Sequence, residues 1–239
     1  MTIYAGCSGF SYPEWRGRLY PDGLAASKML PAYAARLPAV ELNGSFYRTP
    51  AEGTLDSWAV ATPLSFRICC KGHRALTYSA PGWPRERLAR DLAPRFRRLG
   101  PRLGPLLLQF PPARQVDAPL LAGLLAALGL PAAVDCRHES WFVPEVYAVL
   151  REHGAALCVT DGERWPRAPL LDLAPFAYVR LRAEKYDAAA AVGWRSRLVE
   201  LQSAHEDVYA FVRHGADAPQ LALALGGPTG EASGSTLES

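Results

Sequence analysis

Lysine is nearly absent from this chain. Of its 26 basic residues only Lys28, Lys71 and Lys185 are lysine, so almost every cation is an arginine, a group that keeps its proton under ordinary conditions. An excess of one charge is also missing. Lysine and arginine number 26 against 23 acidic residues, and a formal net charge of +3 over 239 residues is too small to imply a polyanionic partner. Cysteine is scarce and unpatterned: the five include no C-x-x-C pair, and Cys69, Cys70, Cys136 and Cys158 sit inside apolar runs. That placement predicts reduced, buried thiols and argues against a disulfide framework or a zinc site. No stretch approaches the ~18 apolar residues of a membrane span, and "MTIYAGCSGF" has neither the basic nor the apolar segment of an export signal. We therefore expect a cytoplasmic protein with no membrane partner. Phosphate-cradling glycine patterns are missing too. "GCSG" is too short for a dinucleotide loop and no P-loop is present, so no cofactor is expected.

What the chain does contain is a regular alternation. Short apolar or β-branched runs at 2–8, 39–45, 66–71, 104–110, 132–138, 156–161, 176–182 and 208–214 read as eight strands. Amphipathic segments at 27–37, 52–61, 86–99, 116–128, 144–153, 190–204 and 217–225 read as helices between and after them. The Pro-rich stretch 161–175 has no helical period, so the sixth crossover is expected to be irregular. Alternating strands and helices imply parallel pairing through right-handed crossovers. Eight units in this length predict an α/β fold, a single (β/α)8 TIM-type barrel over residues 1–225, with an open doubly wound sheet as the alternative. The tail 226–239 has almost no apolar content and is expected to be disordered.

Several strands carry charge where a buried strand should stay apolar. In "AAVDCRHESWF" (132–142) the run of Ala132, Ala133 and Val134 gives way to Asp135, Arg137 and His138. Side chains alternate faces along a strand, so Glu41, Asn43 and Ser45 share one face of their run, Asp135 and Arg137 continue the face of Ala133, and Lys71 that of Cys69. Asp161 continues the face of Val159, and Tyr178, Arg180 and Arg182 point together. In a barrel these residues converge at the carboxyl ends of the strands, the face on which barrel enzymes build their sites.

The ordered set "GCSGFSYPEWRGRLYPDGL" (6–24), "VELNGSFYRTP" (40–50), "TPLSFRICCKGHRALTY" (62–78), "LGPLLLQFPP" (103–112), "VDCRHESWF" (134–142) and "FAYVRLR" (176–182) resembles the YecE-like family, domain of unknown function 72. The resemblance covers residues 3–225 and implies a TIM-type barrel without an established reaction. Three places depart from the family pattern. Asp135 stands where glutamate is usual, "RLRAEKY" replaces Arg-Leu-His-Gly, and "FVRHGAD" replaces a strand ending in Phe-Asn-Asn. Glu41, Asn43, Lys71 and Arg137 keep it.

Taking ions out of water costs several kcal/mol each, so a charged strand-end layer is a poor device for stability alone and points to a ligand. We expect a small anionic molecule bearing phosphate or carboxylate, clamped by Arg137 and Arg180 and oriented by Asn43 and Gln109. Glu41 or Asp135 would act as general acid or base, tuned by Lys71, which unlike arginine can lose its proton. His73 and His138 are candidate proton carriers. Glu41, Asp135 and Asp161 could attract a divalent cation, but Lys71 and Arg137 would repel it, and no metal is expected. On the first long loop Tyr12 and Trp15 are expected to be the solvent-facing aromatics beside the ligand. The Arg-rich run 85–102 has a full apolar stripe (Leu88, Leu92, Phe96, Leu99) and reads as a solvated helix face rather than a nucleic-acid surface. A nucleic-acid-binding barrel and a non-catalytic ligand sensor are the alternative readings.

Overall fold

The structure, a computed structural model, describes residues 1–162 and 164–226. Residues 227–239, nearly all of the tail expected to be disordered, lie outside the described residues. Strands occupy the eight expected runs: β1 (Thr2–Ser8), β2 (Ala39–Leu42), β3 (Arg67–Cys70), β4 (Leu106–Phe110), β5 (Ala132–Cys136), β6 (Ala156–Leu157), β7 (Val159–Thr160), β8 (Phe176–Leu181) and β9 (Asp207–Val212). The sixth run splits in two at Cys158. Helices α1 (Ala26–Ala34), α2 (Glu52–Ala61), α3 (Arg85–Arg97), α4 (Ala118–Leu128) and α5 (Pro144–Glu152) lie between successive strands, α6 (Ala188–Ala204) joins β8 to β9, and α7 (Ala218–Gly226) follows. Among the described residues, 161–175 carries neither helix nor strand, as its prolines suggest. No helix of the described residues is long and apolar enough to cross a membrane.

Local chemistry sets the helix ends. At α4 the Asp117 side chain accepts the Leu120 N–H, proline follows at the first turn, and Gly129 closes the helix in a left-handed conformation at φ 51°. Along α3 the apolar residues Ala89, Leu92, Ala93 and Phe96 are buried, while Arg87, Arg90, Arg95 and Arg97 face solvent. Arg98, just after α3, pairs with Glu52 and Asp56 of α2.

All strand pairings are parallel. One sheet runs β3-β2-β1-β9-β8-β7 and the other β4-β5-β6. The first and last strands of the chain are neighbours over six positions, Thr2 opposite Asp207 through Cys7 opposite Val212. Between β3 and β4 the regular ladder gives way to single bridges, Ile68 to Leu103 and Lys71 to Leu107. The Gly104 N–H donates to the Ile68 carbonyl (3.0 Å) and the Gly72 N–H to the Leu107 carbonyl (2.9 Å). Where β6 passes into β7, the Cys158 N–H still donates to Val134 of β5, and the following residues pair with β8.

Strands buried on both faces need two apolar surfaces, and the chain supplies them by alternation. Val40, Leu42, Ile68, Cys70, Leu106, Leu108, Val134 and Val179 face the helices in one large cluster. Tyr4, Ala39, Cys69, Leu107, Ala133, Cys158, Tyr178, Tyr209 and Phe211 form a second, separate cluster on the other face. Two residues further along the strands, about 6.6 Å toward their carboxyl ends, the second face changes character. Ala39 is followed by Glu41, Cys69 by Lys71, Leu107 by Gln109, Ala133 by Asp135, and Tyr178 by Arg180. A polar layer therefore sits on an apolar one.

The β1–β2 junction shows how tightly the strands are held. The Tyr33 hydroxyl, from α1, accepts the Cys7 N–H (2.7 Å) and donates to the Ala39 carbonyl (2.9 Å). Beside it Gly6 leaves no room for a side chain, since a Cβ there would stand 1.9 Å from the Ala39 oxygen. We expect Tyr33→Phe, which strands a buried donor and a buried acceptor, to cost about 1–3 kcal/mol. Gly6→Ala, which forces backbone apart, should cost about 3 kcal/mol or more. Urea midpoints check both, and a Gly6→Ala midpoint equal to that of the wild type would contradict this packing.

Candidate functional site

The polar layer is organised by one carboxylate. Glu41, with no solvent exposure, is next to last in β2 and shares the face of Ala39. Arg180 of β8 grips it with a fork, Nε to Oε2 and Nη2 to Oε1, both at 3.0 Å. Oε1 also accepts from Ser8 Oγ (2.8 Å), Arg182 Nη2 (2.7 Å) and Asn43 Nδ2 (3.3 Å), and Oε2 from the Tyr178 hydroxyl (3.0 Å). Burial pushes the Glu41 carboxyl up, but Arg180 and Arg182 outweigh it and hold the group well below the usual carboxylate range. A carboxylate so held is a poor general base; its work is to fix the two arginines.

Arg180 carries the arrangement onward. Its Nη1 donates to Asp135 Oδ2 at 2.9 Å and approaches Gln109 Oε1 at 3.5 Å. Burial opposes the Arg180 cation, and Glu41 and Asp135 together reverse that and raise its pKa. Gln109 in turn accepts from Arg137 Nη2 (2.6 Å) and donates through Nε2 to the Tyr78 hydroxyl (2.6 Å). Arg137 lies over the Trp165 ring at 4.8 Å. Its Nε stands 3.8 Å from Asp135 Oδ2, and though shut off from solvent this N–H has no hydrogen-bond partner among the described residues. Arg182 is 17% exposed along its side chain, and burial and the neighbouring Arg180 draw its pKa down.

Lys71 completes the layer and differs from every other member. Its main chain is fixed: the N–H donates to the Leu42 carbonyl, and the carbonyl accepts from Ser45 Oγ at 2.7 Å. The short helical turn Gly44–Phe46, which follows Asn43, sets Phe46 against it, with Nζ 3.9 Å from the ring centre. Lys71 is 9% exposed, yet its ammonium makes no hydrogen bond or ion pair with any of the described residues. Burial and the cations Arg180 and Arg137 pull its pKa down to about 8, against the opposing influence of Glu41 and Asp135. Four cations (Lys71, Arg137, Arg180, Arg182) thus face two carboxylates, and both carboxylates are engaged by guanidinium groups.

The structure therefore brings together Glu41, Asn43, Lys71, Gln109, Asp135, Arg137 and Arg180, and engages the other candidates in contacts of their own. Trp15 is a core residue with no exposure, its indole N–H donating to the Gly215 carbonyl at 2.8 Å, and it is not a solvent-facing aromatic. Tyr12 is half-buried, donates to the Ser8 carbonyl at 2.6 Å and stacks on His214. Asp161 lies past the end of β7 and turns away from the layer, accepting the Arg182 and Ala183 backbone N–H groups and the Tyr186 hydroxyl. His138 Nδ1 accepts the Ser140 N–H (3.2 Å) and caps the turn Glu139–Trp141; His73 caps Arg74–Leu76 in the same way. Both rings are local caps.

Six further residues belong to the site. Reading of the sequence set Arg182 and Tyr178 on the converging face of Arg180 without giving them a role, and Ser8 ends a strand. Phe46, Tyr78 and Trp165 come from connecting segments without a period, where no signal exists. Among the described residues, no cluster of three or more His, Cys, Asp or Glu side chains is placed to hold a metal ion. Arg180 lies between Glu41 and Asp135, where a shared cation would have to sit.

Because Glu41 has its carboxyl depressed by folding, its stabilising contribution is complete above about pH 4.5 and is lost as pH falls below that value. Glu41→Gln should cost about 3–5 kcal/mol near neutral pH by leaving Arg180 and Arg182 undercompensated, and the gap to wild type should narrow as the solution is acidified. Denaturant melts across the acid range check this, and a gap independent of pH would contradict it.

Comparison with known proteins bears on the whole chain. It is 28% identical over 155 residues to the UPF0759 protein YunF of Bacillus subtilis (strain 168), an alignment covering 61% of this chain and 54% of YunF. The chain thus spans about half the length of that curated relative. A crystal structure of a DUF72 family protein from Thermotoga maritima MSB8 superposes with a TM-score of 0.77 at 26% identity, covering 94% of this chain and 98% of that one. One from Enterococcus faecalis V583 gives 0.71 at 18% identity over 94% and 96%, a likeness of fold alone. The family described as "Protein of unknown function DUF72" matches residues 4–236, and the chain belongs to that family.

Proposed function

We propose that the strand-end layer binds a small anion and acts on it by general acid–base chemistry, on a barrel closed by all the strands. Closure is supported by the pairing of β1 with β9, by the bridges that link β3 to β4, and by the handover from β5 to β8 across Cys158. The apolar cluster on the inner face then fills the barrel interior, as side chains do in such folds.

The observation that carries the ligand reading is Lys71. A nearly buried ammonium without an acceptor among the described residues, beside two guanidinium groups whose counter-charges are already engaged, is an unfavourable state in the free protein. A bound anion relieves it. Arg137 adds a second cation, its Nε–H without an acceptor among the described residues, and Arg182 a third, partly exposed one. A phosphate or carboxylate suits these planar and point-charge donors together. Lys71, with a pKa of about 8, can donate or accept a proton near neutrality. Asp135, hydrogen-bonded through Oδ2, is the carboxylate better placed to partner it, because Glu41 is saturated.

Sulfate keeps constant charge across the relevant range and is the simplest probe. Its affinity, followed by calorimetry from about pH 7 to about pH 10, should fall as Lys71 loses its proton above about 8, by up to about tenfold per pH unit. In Lys71→Met the binding should be weaker and flat over the same range. Arg137→Ala should weaken sulfate binding while lowering the denaturation midpoint less than Leu108→Ala, which removes a core side chain at about 2–5 kcal/mol. Sulfate affinity indifferent to Lys71→Met, or an Arg137→Ala midpoint as low as that of Leu108→Ala, would contradict the proposal.

A further inference from the structure

We infer that the anion taken by this site also carries a carbonyl group, and that Lys71 Nζ condenses with that carbonyl to form an imine. The inference rests on the anion reading above and names its substrate class: a small oxo acid, or a phosphorylated aldehyde or ketone.

Three observations lead there. First, a chain that uses arginine for almost every cation keeps one of its three lysines here, and a guanidinium cannot serve as an amine nucleophile. Second, the amine is held but not used. No acceptor among the described residues binds its protons, and its contact is the face of Phe46. The charged groups around it come from four directions: Glu41 on β2, Asp135 at the end of β5, Arg137 just beyond it, and Arg180 on β8. Both acids are engaged by arginines and only partly offset desolvation and the two cations, which favour the free amine that attacks. Third, a proton donor for the departing oxygen stands nearby. Tyr78, edge-on to the same Phe46 ring with centres 5.1 Å apart, accepts from Gln109 and gives its own proton to no described residue.

The chemistry balances without any oxidant or reductant. The Nζ lone pair forms a C–N bond to the carbonyl carbon, the π pair moves to oxygen, and oxygen takes a proton to give the carbinolamine. Nitrogen loses a proton, the hydroxyl takes a second one, the nitrogen lone pair forms C=N as the C–O bond breaks with oxygen leaving as water, and loss of the remaining N–H proton gives the imine. Amine plus carbonyl gives imine plus water. In its protonated form this linkage withdraws electrons from the adjacent carbon, which is the use a general base such as Asp135 would have for it.

The full-length protein, incubated with pyridoxal phosphate as an anionic aldehyde probe and reduced with borohydride near neutral pH, tests this by peptide mapping. One phosphopyridoxyl group per chain should appear on Lys71, about tenfold faster than on the exposed Lys28 and Lys185. Excess sulfate should slow labelling at Lys71 alone, and Lys71→Arg should lose that label while still binding sulfate. Sulfate binding with label confined to Lys28 and Lys185 would overturn the carbonyl inference and leave the anion reading standing. Loss of both would overturn both, and Lys71 labelling that sulfate does not slow would overturn the assignment to an anionic carbonyl.

Discussion

The fork between Arg180 and Glu41 is the interaction on which the rest of this site depends. Both groups are buried beneath the strand ends, and neither would be tolerated there alone, because an uncompensated ion in such a place costs several kcal/mol. Together they are nearly saturated. Glu41 spends its oxygens on Ser8, Asn43, Tyr178, Arg182 and the fork itself, and Arg180 spends its remaining donors on Asp135 and Gln109. This rigidity passes outward: Gln109 positions Arg137 and Tyr78, and the Tyr78 ring backs Phe46, on which Lys71 rests. A network built only for stability would leave no member unsatisfied at its edge. This one leaves Lys71 and the Nε–H of Arg137, both cationic.

The same fork reassigns roles within the charged set. Reading Glu41 as an acid or base treats every strand-end carboxylate alike, whereas the structure distinguishes them by what surrounds them. Glu41 is locked ionised by two guanidinium groups and serves as an anchor. Lys71 has its proton loosened by burial and by like charge, and is the group whose charge state can change near neutrality. The near absence of lysine elsewhere fits this division, since arginine supplies permanent charge and lysine an exchangeable proton.

Much of this arrangement was legible in the sequence because alternation along a strand is strict. Once Ala39, Cys69, Leu107, Ala133 and Tyr178 are assigned to one face, Glu41, Lys71, Gln109, Asp135 and Arg180 must share it. The rule even extends beyond the end of β8 to Arg182. It fails where the backbone leaves the strand. Asp161 follows a two-residue strand and is turned by the backbone N–H groups of Arg182 and Ala183, while His73 and His138 begin short helical turns and serve as their caps. Trp15 sits on a loop by sequence position, but its size and single donor let it be buried against Tyr33 with its N–H on Gly215. Phe46, Tyr78 and Trp165 were illegible for the complementary reason: their positions follow from the packing of connecting segments, which has no period.

Membership of the DUF72 family and the likeness to its solved structures assign the fold and leave the chemistry to be read from the side chains. That chemistry turns on whether Lys71 is in truth an uncompensated amine. Lysine-labelled protein, with only three lysine signals to resolve, allows its ε-carbon resonance to be titrated directly by NMR. The account predicts a midpoint at about 8 for Lys71 that moves upward when sulfate is added. A midpoint at the ordinary lysine value of ~10.4, unmoved by sulfate, would contradict it.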